Sequence, residues 1–66
     1  MAGENGYDDR IEDGPTGWRV LIRDPAGEVV GDRACRDGAE ARTFASTVRQ
    51  HIYWLSPEKF REYYRV

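Results

Sequence analysis

The chain has few residues that could carry out covalent chemistry, and their spacing does not favour an enzyme. It contains one cysteine, Cys35, and one histidine, His51. Nucleophilic catalysis would need these side chains to meet, with a third group orienting the histidine. Cys35 ends a predicted strand, where a cysteine is usually a packing residue, and His51 lies at the rim of a predicted helix's apolar face. We therefore expect no catalytic residues.

The remaining polar motifs do not indicate a catalytic, metal or phosphate site. Adjacent carboxylates occur at Asp8 and Asp9 and at Glu12 and Asp13, in a segment that we expect to lack the fixed geometry that acid–base catalysis needs. Residues 14–17, with the sequence GPTG, lack the lysine and hydroxyl of a phosphate-binding loop. A single cysteine and a single histidine do not make a tetrahedral zinc site. We expect neither a cofactor nor a metal.

Composition places the chain among small globular domains. Its 66 residues are 39% apolar and 33% charged, and no run of about 20 apolar residues predicts a membrane span. Residues 1–6 do not resemble a secretory signal, and an unpaired cysteine suits a reducing compartment. We expect a cytoplasmic protein. Nine arginines against one lysine are typical of GC-rich bacterial or phage genomes, so the arginine count alone says little about nucleic acid.

Charge divides the chain into two segments. Residues 1–17 carry five acidic residues and one arginine, a net charge of −4, whereas residues 18–66 carry seven acids and nine bases, a net charge of +2. The first segment has few sizeable apolar groups to offset the entropy of ordering it. The sequence therefore predicts a disordered acidic tail over residues 1–17 and a small folded domain over residues 18–66.

The domain is predicted to begin with a β-hairpin. Residues 18–23 place Trp18, Val20 and Ile22 on one face of a strand. The Asp-Pro-Ala-Gly sequence that follows is typical of a type I turn. Residues 28–35 then form the second strand, with a register that depends on a possible bulge near Gly31.

Two helices complete the prediction. Residues 39–55 repeat apolar side chains at three- and four-residue steps, and Asp37 is suited to cap their N-terminus. Ser56 and Pro57 begin a second, short helix that ends near Tyr63. The predicted fold class is α+β, a hairpin packed by one amphipathic helix, with a short C-terminal helix and a disordered acidic arm.

The small size of this domain favours association with a partner. A chain of about 60 residues buries only about 60% of the surface that it exposes when unfolded. A two-stranded ribbon also leaves both sheet edges open. Edge-to-edge pairing of two chains into a four-stranded sheet would cover these edges, so we expect a homodimer or a complex with a larger protein.

Aromatic residues near the C-terminus are the candidate protein interface. Tryptophan and tyrosine are frequent at binding hot spots, and so small a core cannot easily enclose every ring. The alternative is that the short helix folds back and that Trp54, Phe60 and Tyr64 complete the core. The candidate interface residues are Tyr53, Trp54, Phe60, Tyr63 and Tyr64.

A DNA- or RNA-binding regulator is the alternative function. Arg19 and Arg23 share one face of the first predicted strand, and Arg33 lies across the hairpin. A β-ribbon with exposed arginines can enter a major groove. The isoelectric point near 5.3 and the modest charge of residues 18–66 favour the protein interaction instead.

Overall fold

A three-stranded antiparallel sheet and two helices form the fold in the computed structural model, which describes residues 5–15 and 17–66. This architecture confirms the predicted α+β class. The elements in chain order are β1 (Asp8–Gly14), β2 (Gly17–Arg23), β3 (Val29–Cys35), α1 (Gly38–Trp54) and α2 (Pro57–Tyr64).

The N-terminal segment contains a strand, and the expectation of a disordered tail is wrong for this part of it. β1 pairs with β2 along its whole length, from Asp8 opposite Arg23 to Gly14 opposite Gly17. Just before β1, Tyr7 is only 4% exposed. Residues 1–4 and 16 of the predicted tail lie outside the described residues.

Two physical contributions explain why the acidic segment is ordered. Tyr7 packs against Phe60 with 4.6 Å between ring centroids, which buries a large apolar ring. Two carboxylates of the segment are also neutralised by arginines from the rest of the chain, because Asp8 binds Arg23 at 2.8 Å and Asp9 binds Arg49 at 3.2 Å. A count of the segment's own charges and apolar residues misses both contributions.

The β2–β3 hairpin forms as predicted, with one shift in register. Asp24 closes the turn through both backbone and side chain, accepting hydrogen bonds from the backbone amides of Ala26 and Glu28 on Oδ1. Gly27 takes the left-handed conformation with a φ of 90°. The pairing shifts by one residue between Ile22 and Arg23.

The caps of both helices agree with the sequence. The Asp37 side chain accepts a hydrogen bond of 2.8 Å from the Glu40 amide at the start of α1. Ser56 caps α2 by accepting from the Lys59 amide, and Pro57 occupies the first turn of that helix. The capping oxygens satisfy amides that would otherwise lack an intrahelical partner.

The core lies between the sheet and α1 and is extended by α2. Four residues of α1 are buried, at the spacing that the sequence predicted, and they pack on Val20 and Ile22 of β2. α1 lies mainly over β1 and β2 and only lightly over β3. The strand order also leaves β1 and β3 as sheet edges, because β1 covers the edge of β2 that was expected to be open.

Candidate protein-interaction surface

Three of the five candidate aromatic residues are exposed where α1 meets α2. The exposed fractions are 53% for Tyr53, 75% for Trp54 and 64% for Tyr63. We call these three residues the aromatic corner. Tyr53 and Trp54 end α1, whose buried stripe runs through Val48 and Ile52, so they fall outside the stripe.

The other two candidate residues have different environments. Phe60 is fully buried and stacks on Tyr7, so the expectation that it belongs to a binding surface is wrong. It occupies the core because α2 folds back and directs this position towards the N-terminal segment. Tyr64 is half-buried, with its ring 4.7 Å from that of Phe60 and 6.4 Å from that of Phe44.

His51 links the aromatic corner to the core. Its Nδ1 atom shares a hydrogen bond of 2.5 Å with the hydroxyl of Tyr64, and its ring packs 4.7 Å from that of Tyr63. Burial raises the pKa of Tyr64 to about 12, with a smaller contribution from Tyr63. Trp54 follows His51 by three residues and is therefore its neighbour on the helix surface. The aromatic corner is therefore connected to the core through His51 and Tyr64.

A shallow pocket of about 210 Å³ lies beside the corner, at the turn between the two helices. Tyr53, Trp54 and Pro57 contribute to its walls. Asn5 also borders it and is 6% exposed, donating a 3.2 Å hydrogen bond to the Leu55 carbonyl. The N-terminal segment therefore helps to hold the end of α1 on which the corner stands.

The arginines proposed for nucleic acid are largely engaged by carboxylates. Arg19 makes two hydrogen bonds to Asp32, at 2.9 and 2.7 Å, and Arg23 makes two to Asp8, at 2.9 and 2.8 Å. Both pairs lie on the sheet face that α1 does not cover. Paired in this way, the two guanidinium groups add little net positive charge to that face.

Arg33 lies on the other face of the sheet, so the structure does not bring it together with Arg19 and Arg23. It is paired with Val20, which is buried under α1, while Arg19 is paired with Ala34. The one-residue shift of register moves Arg33 away from the expected position opposite Arg19. Its guanidinium carbon lies 4.6 Å from the centroid of the Phe44 ring.

The residues considered for catalysis have separate environments. Cys35 packs with the cluster around Val20, and its Sγ atom lies 3.8 Å from the Arg33 carbonyl oxygen, whereas His51 bonds to Tyr64. Asp8 and Asp9 project to opposite faces of β1 and bind different arginines. Within residues 5–15 and 17–66, no group of three or more metal-ligating side chains comes together.

The sequence interpretation missed the structural role of Asn5 and Tyr7. A signal was present, since Tyr7 and Ile11 lie on one face at a period of two around Asp9, and a turn of glycine and proline precedes the first predicted strand. That pattern is typical of a strand joined to β2 by a short loop. The prediction of a disordered tail gave more weight to the high negative charge of residues 1–17 than to this pattern.

No protein-family model, curated protein or solved structure matches the chain. In the described part of the chain, neither helix has the length and apolar character needed to cross a membrane.

Proposed function

We propose that this protein is a non-enzymatic interaction module that binds another protein chain through the aromatic corner. The observation that carries the proposal is the exposure of Tyr53, Trp54 and Tyr63 in a domain whose core closes without them. Trp54 alone is 75% exposed. Tryptophan and tyrosine supply large contact areas at little cost in side-chain entropy, which is why they dominate binding hot spots.

The contacts that connect the aromatic corner to the core also favour a binding role. The rings of Tyr63 and His51 are in contact, and His51 is held by Tyr64. A side chain fixed before binding loses less freedom on binding, so more of its contact energy contributes to affinity. Exposed rings on such a support are well suited to serve as anchors.

Interface size indicates what must surround the corner. A stable interface of standard size covers about 800 Å² per partner, roughly a sixth of the 4642 Å² surface of this chain. Three side chains cannot supply that area alone. The neighbouring exposed residues of α1 and α2 would form its rim, and the partner is either a second copy of the chain or a larger protein.

The nucleic-acid alternative has less physical support. A phosphate at Arg19 or Arg23 would have to displace a bidentate carboxylate from each guanidinium, and such pairs are the stronger class of hydrogen bond. The whole chain also carries a net charge of −2. Binding to nucleic acid would fall steeply with added salt, whereas an apolar protein interface would change little.

Light scattering after size exclusion, at several protein concentrations and two salt concentrations, tests the proposal first. We expect a dimer that tolerates salt, and we expect the double variant Trp54→Ala with Tyr63→Ala to lower its association constant by at least about tenfold. If the chain is monomeric at every concentration, capture experiments with immobilised wild-type protein and the same double variant test for a larger partner.

Val29→Ser is the matched control, because Val29 is also apolar and 54% exposed but lies on β3, away from the corner. It should leave the self-association measured by light scattering unchanged. If Val29→Ser weakens association and the double variant does not, the interface lies at the sheet edge and the corner is not the binding surface.

A further inference from the structure

A second surface, distinct from the aromatic corner, lies along β3. In the described part of the chain, the strand order leaves the outer edge of β3 unpaired, and α1 covers this strand less than the other two. A groove therefore runs beside the strand on the side of the sheet that faces α1. An unpaired edge next to a groove is the geometry in which proteins add an extended peptide as a further strand.

The wall formed by α1 is more apolar than its sequence suggests. Phe44 lies in the section of the groove nearest the start of α1, which has a volume of about 470 Å³. Thr43 and Thr47 line the same section, and their hydroxyls donate to the backbone carbonyls of Ala39 and Thr43 at 3.0 and 3.2 Å. Because the hydroxyls are bonded within the helix, the methyl groups are left to contact a ligand.

A second section of about 380 Å³ continues the groove towards the end of the chain. It shares Phe44 and Arg33 with the first section and adds Tyr64 and Val66. The two sections together follow four consecutive residues of β3, from Gly31 to Ala34, which extend about 13 Å at the usual rise of a strand. An extended segment of similar length could therefore contact both.

Arg33 gives the groove an uncompensated positive charge. Its guanidinium lies over Phe44, and among the described residues no carboxylate is within 4 Å of it. Three acidic residues line the groove, and each is already occupied. Asp32 binds Arg19, Asp37 caps α1, and Glu40 accepts from the Arg36 amide. A ligand carboxylate would find its best partner at Arg33.

We propose that β3 binds an extended segment of a different protein, which pairs with the free edge and places a carboxylate opposite Arg33. Apolar side chains two residues to either side would lie in the groove, because alternate residues of a strand face the same way. A second copy of β3 fits poorly. If two copies of β3 paired symmetrically and antiparallel, residues on the same face of the sheet would lie opposite one another. On the face that carries Arg33, β3 has Gly31 and Cys35 but no acidic residue that could pair with the arginine.

This proposal does not depend on the aromatic corner, since the two surfaces share no residue and either can fail alone. Three synthetic heptapeptides test it. The first, Thr-Val-Thr-Glu-Thr-Val-Thr, presents valine, glutamate and valine on one face. The second has lysine in place of glutamate, and the third keeps glutamate but has alternate backbone nitrogens methylated, which removes the hydrogen bonds that pair strands.

Amide chemical shifts of the ¹⁵N-labelled full chain give both the location and the affinity of binding. We expect the glutamate peptide to shift amides of β3 and of Phe44, and to bind about fivefold more tightly than the lysine peptide. Arg33→Glu should reverse that preference. Arg42→Glu changes an exposed arginine of α1 that does not line the groove, and should leave the preference unchanged. The methylated peptide should not bind.

Several results would overturn the proposal. One is that no peptide shifts the β3 amides at millimolar concentration. Another is that the methylated peptide binds as well as its parent, since binding would then not involve strand pairing. A third is that the β3 amides shift with protein concentration alone, which would make a second copy the occupant of the edge.

Discussion

Replacing Tyr7 tests whether the N-terminal segment is part of the cooperative core. The ring is 4% exposed and stacks on the fully buried Phe60. A buried tyrosine removes about 150–250 Å² from water, and at about 25 cal/mol per Å² this corresponds to roughly 4–6 kcal/mol. Compact denatured chains already bury part of that area, which lowers the expected loss for Tyr7→Ala to about 3–5 kcal/mol.

That loss is comparable with the stability of the whole domain. A chain of 66 residues at about 0.05–0.15 kcal/mol per residue is stable by roughly 3–10 kcal/mol. Urea unfolding followed by circular dichroism measures the effect. With an m-value of about 1 kcal/mol/M, Tyr7→Ala should lower the midpoint by about 3 M or unfold the chain in buffer. Tyr7→Leu keeps part of the apolar volume and should fall between wild type and Tyr7→Ala.

Tyr53→Ala is the matched control, because it removes the same side chain from a position that is 53% exposed. It should change the free energy of unfolding by no more than about 0.5 kcal/mol. If the N-terminal segment were disordered, Tyr7→Ala would change the free energy of unfolding as little as Tyr53→Ala does. If the midpoints of Tyr7→Ala and Tyr53→Ala agree, Tyr7 does not belong to the core and the reasoning about β1 is wrong.

Three further predictions concern the same contacts. Asn5→Ala should lower the free energy of unfolding, measured with urea, by about 1–3 kcal/mol, because the Leu55 carbonyl and the Tyr7 amide lose their hydrogen-bond partner. Gly6→Ala should lower the free energy of unfolding by about 1–3 kcal/mol, because φ is 86° and a Cβ would lie 2.9 Å from Pro25 Cγ. Adding Pro25→Ala should restore only the part of this loss that comes from the steric clash, and full restoration would exclude backbone strain. Burial raises the pKa of Tyr64 to about 12 from 10.0, so the unfolded chain loses that proton first and stability should fall as pH rises between those values. Tyr64→Phe should weaken this fall in the urea midpoint, and an equal fall in both proteins would contradict the assignment.

Local sequence signals predicted most of the fold. The period of the apolar residues located α1, and the capping residues Asp37 and Ser56 located the starts of both helices to within a residue or two. The turn at Asp24 was equally local. These features depend on residues close in sequence, so a single chain contains the information needed to predict them.

The errors came from contacts between residues distant in sequence. Tyr7 and Phe60 are 53 positions apart, and Asp9 and Arg49 are 40 positions apart. The entropy of ordering β1 is offset by partners that its own composition does not reveal. The burial of Phe60 has the same origin, because a ring that looked available for binding is covered by a segment that was expected to be disordered.

The candidate surfaces were predictable to different extents. Exposure of Tyr53 and Trp54 follows from helical spacing, since the apolar stripe of α1 includes Ile52 and excludes both. The groove along β3 could not be predicted. It requires the position of α1 over the sheet, and it requires the one-residue shift that places Arg33 on the same face as Val20. Neither is encoded in a local pattern.

The third strand changes what the exposed aromatic residues imply. The sequence argument expected a partner because a two-stranded hairpin with one helix buries too little surface. β1 supplies much of the missing contact from within the chain, by adding a strand and by placing Tyr7 on Phe60. The chain therefore closes its core without a partner, and a need to cover an incomplete core does not explain why Trp54 is exposed. An aromatic surface that folding does not require is better explained by a binding function, which is why the double variant Trp54→Ala with Tyr63→Ala should weaken association while leaving the urea midpoint near that of wild type.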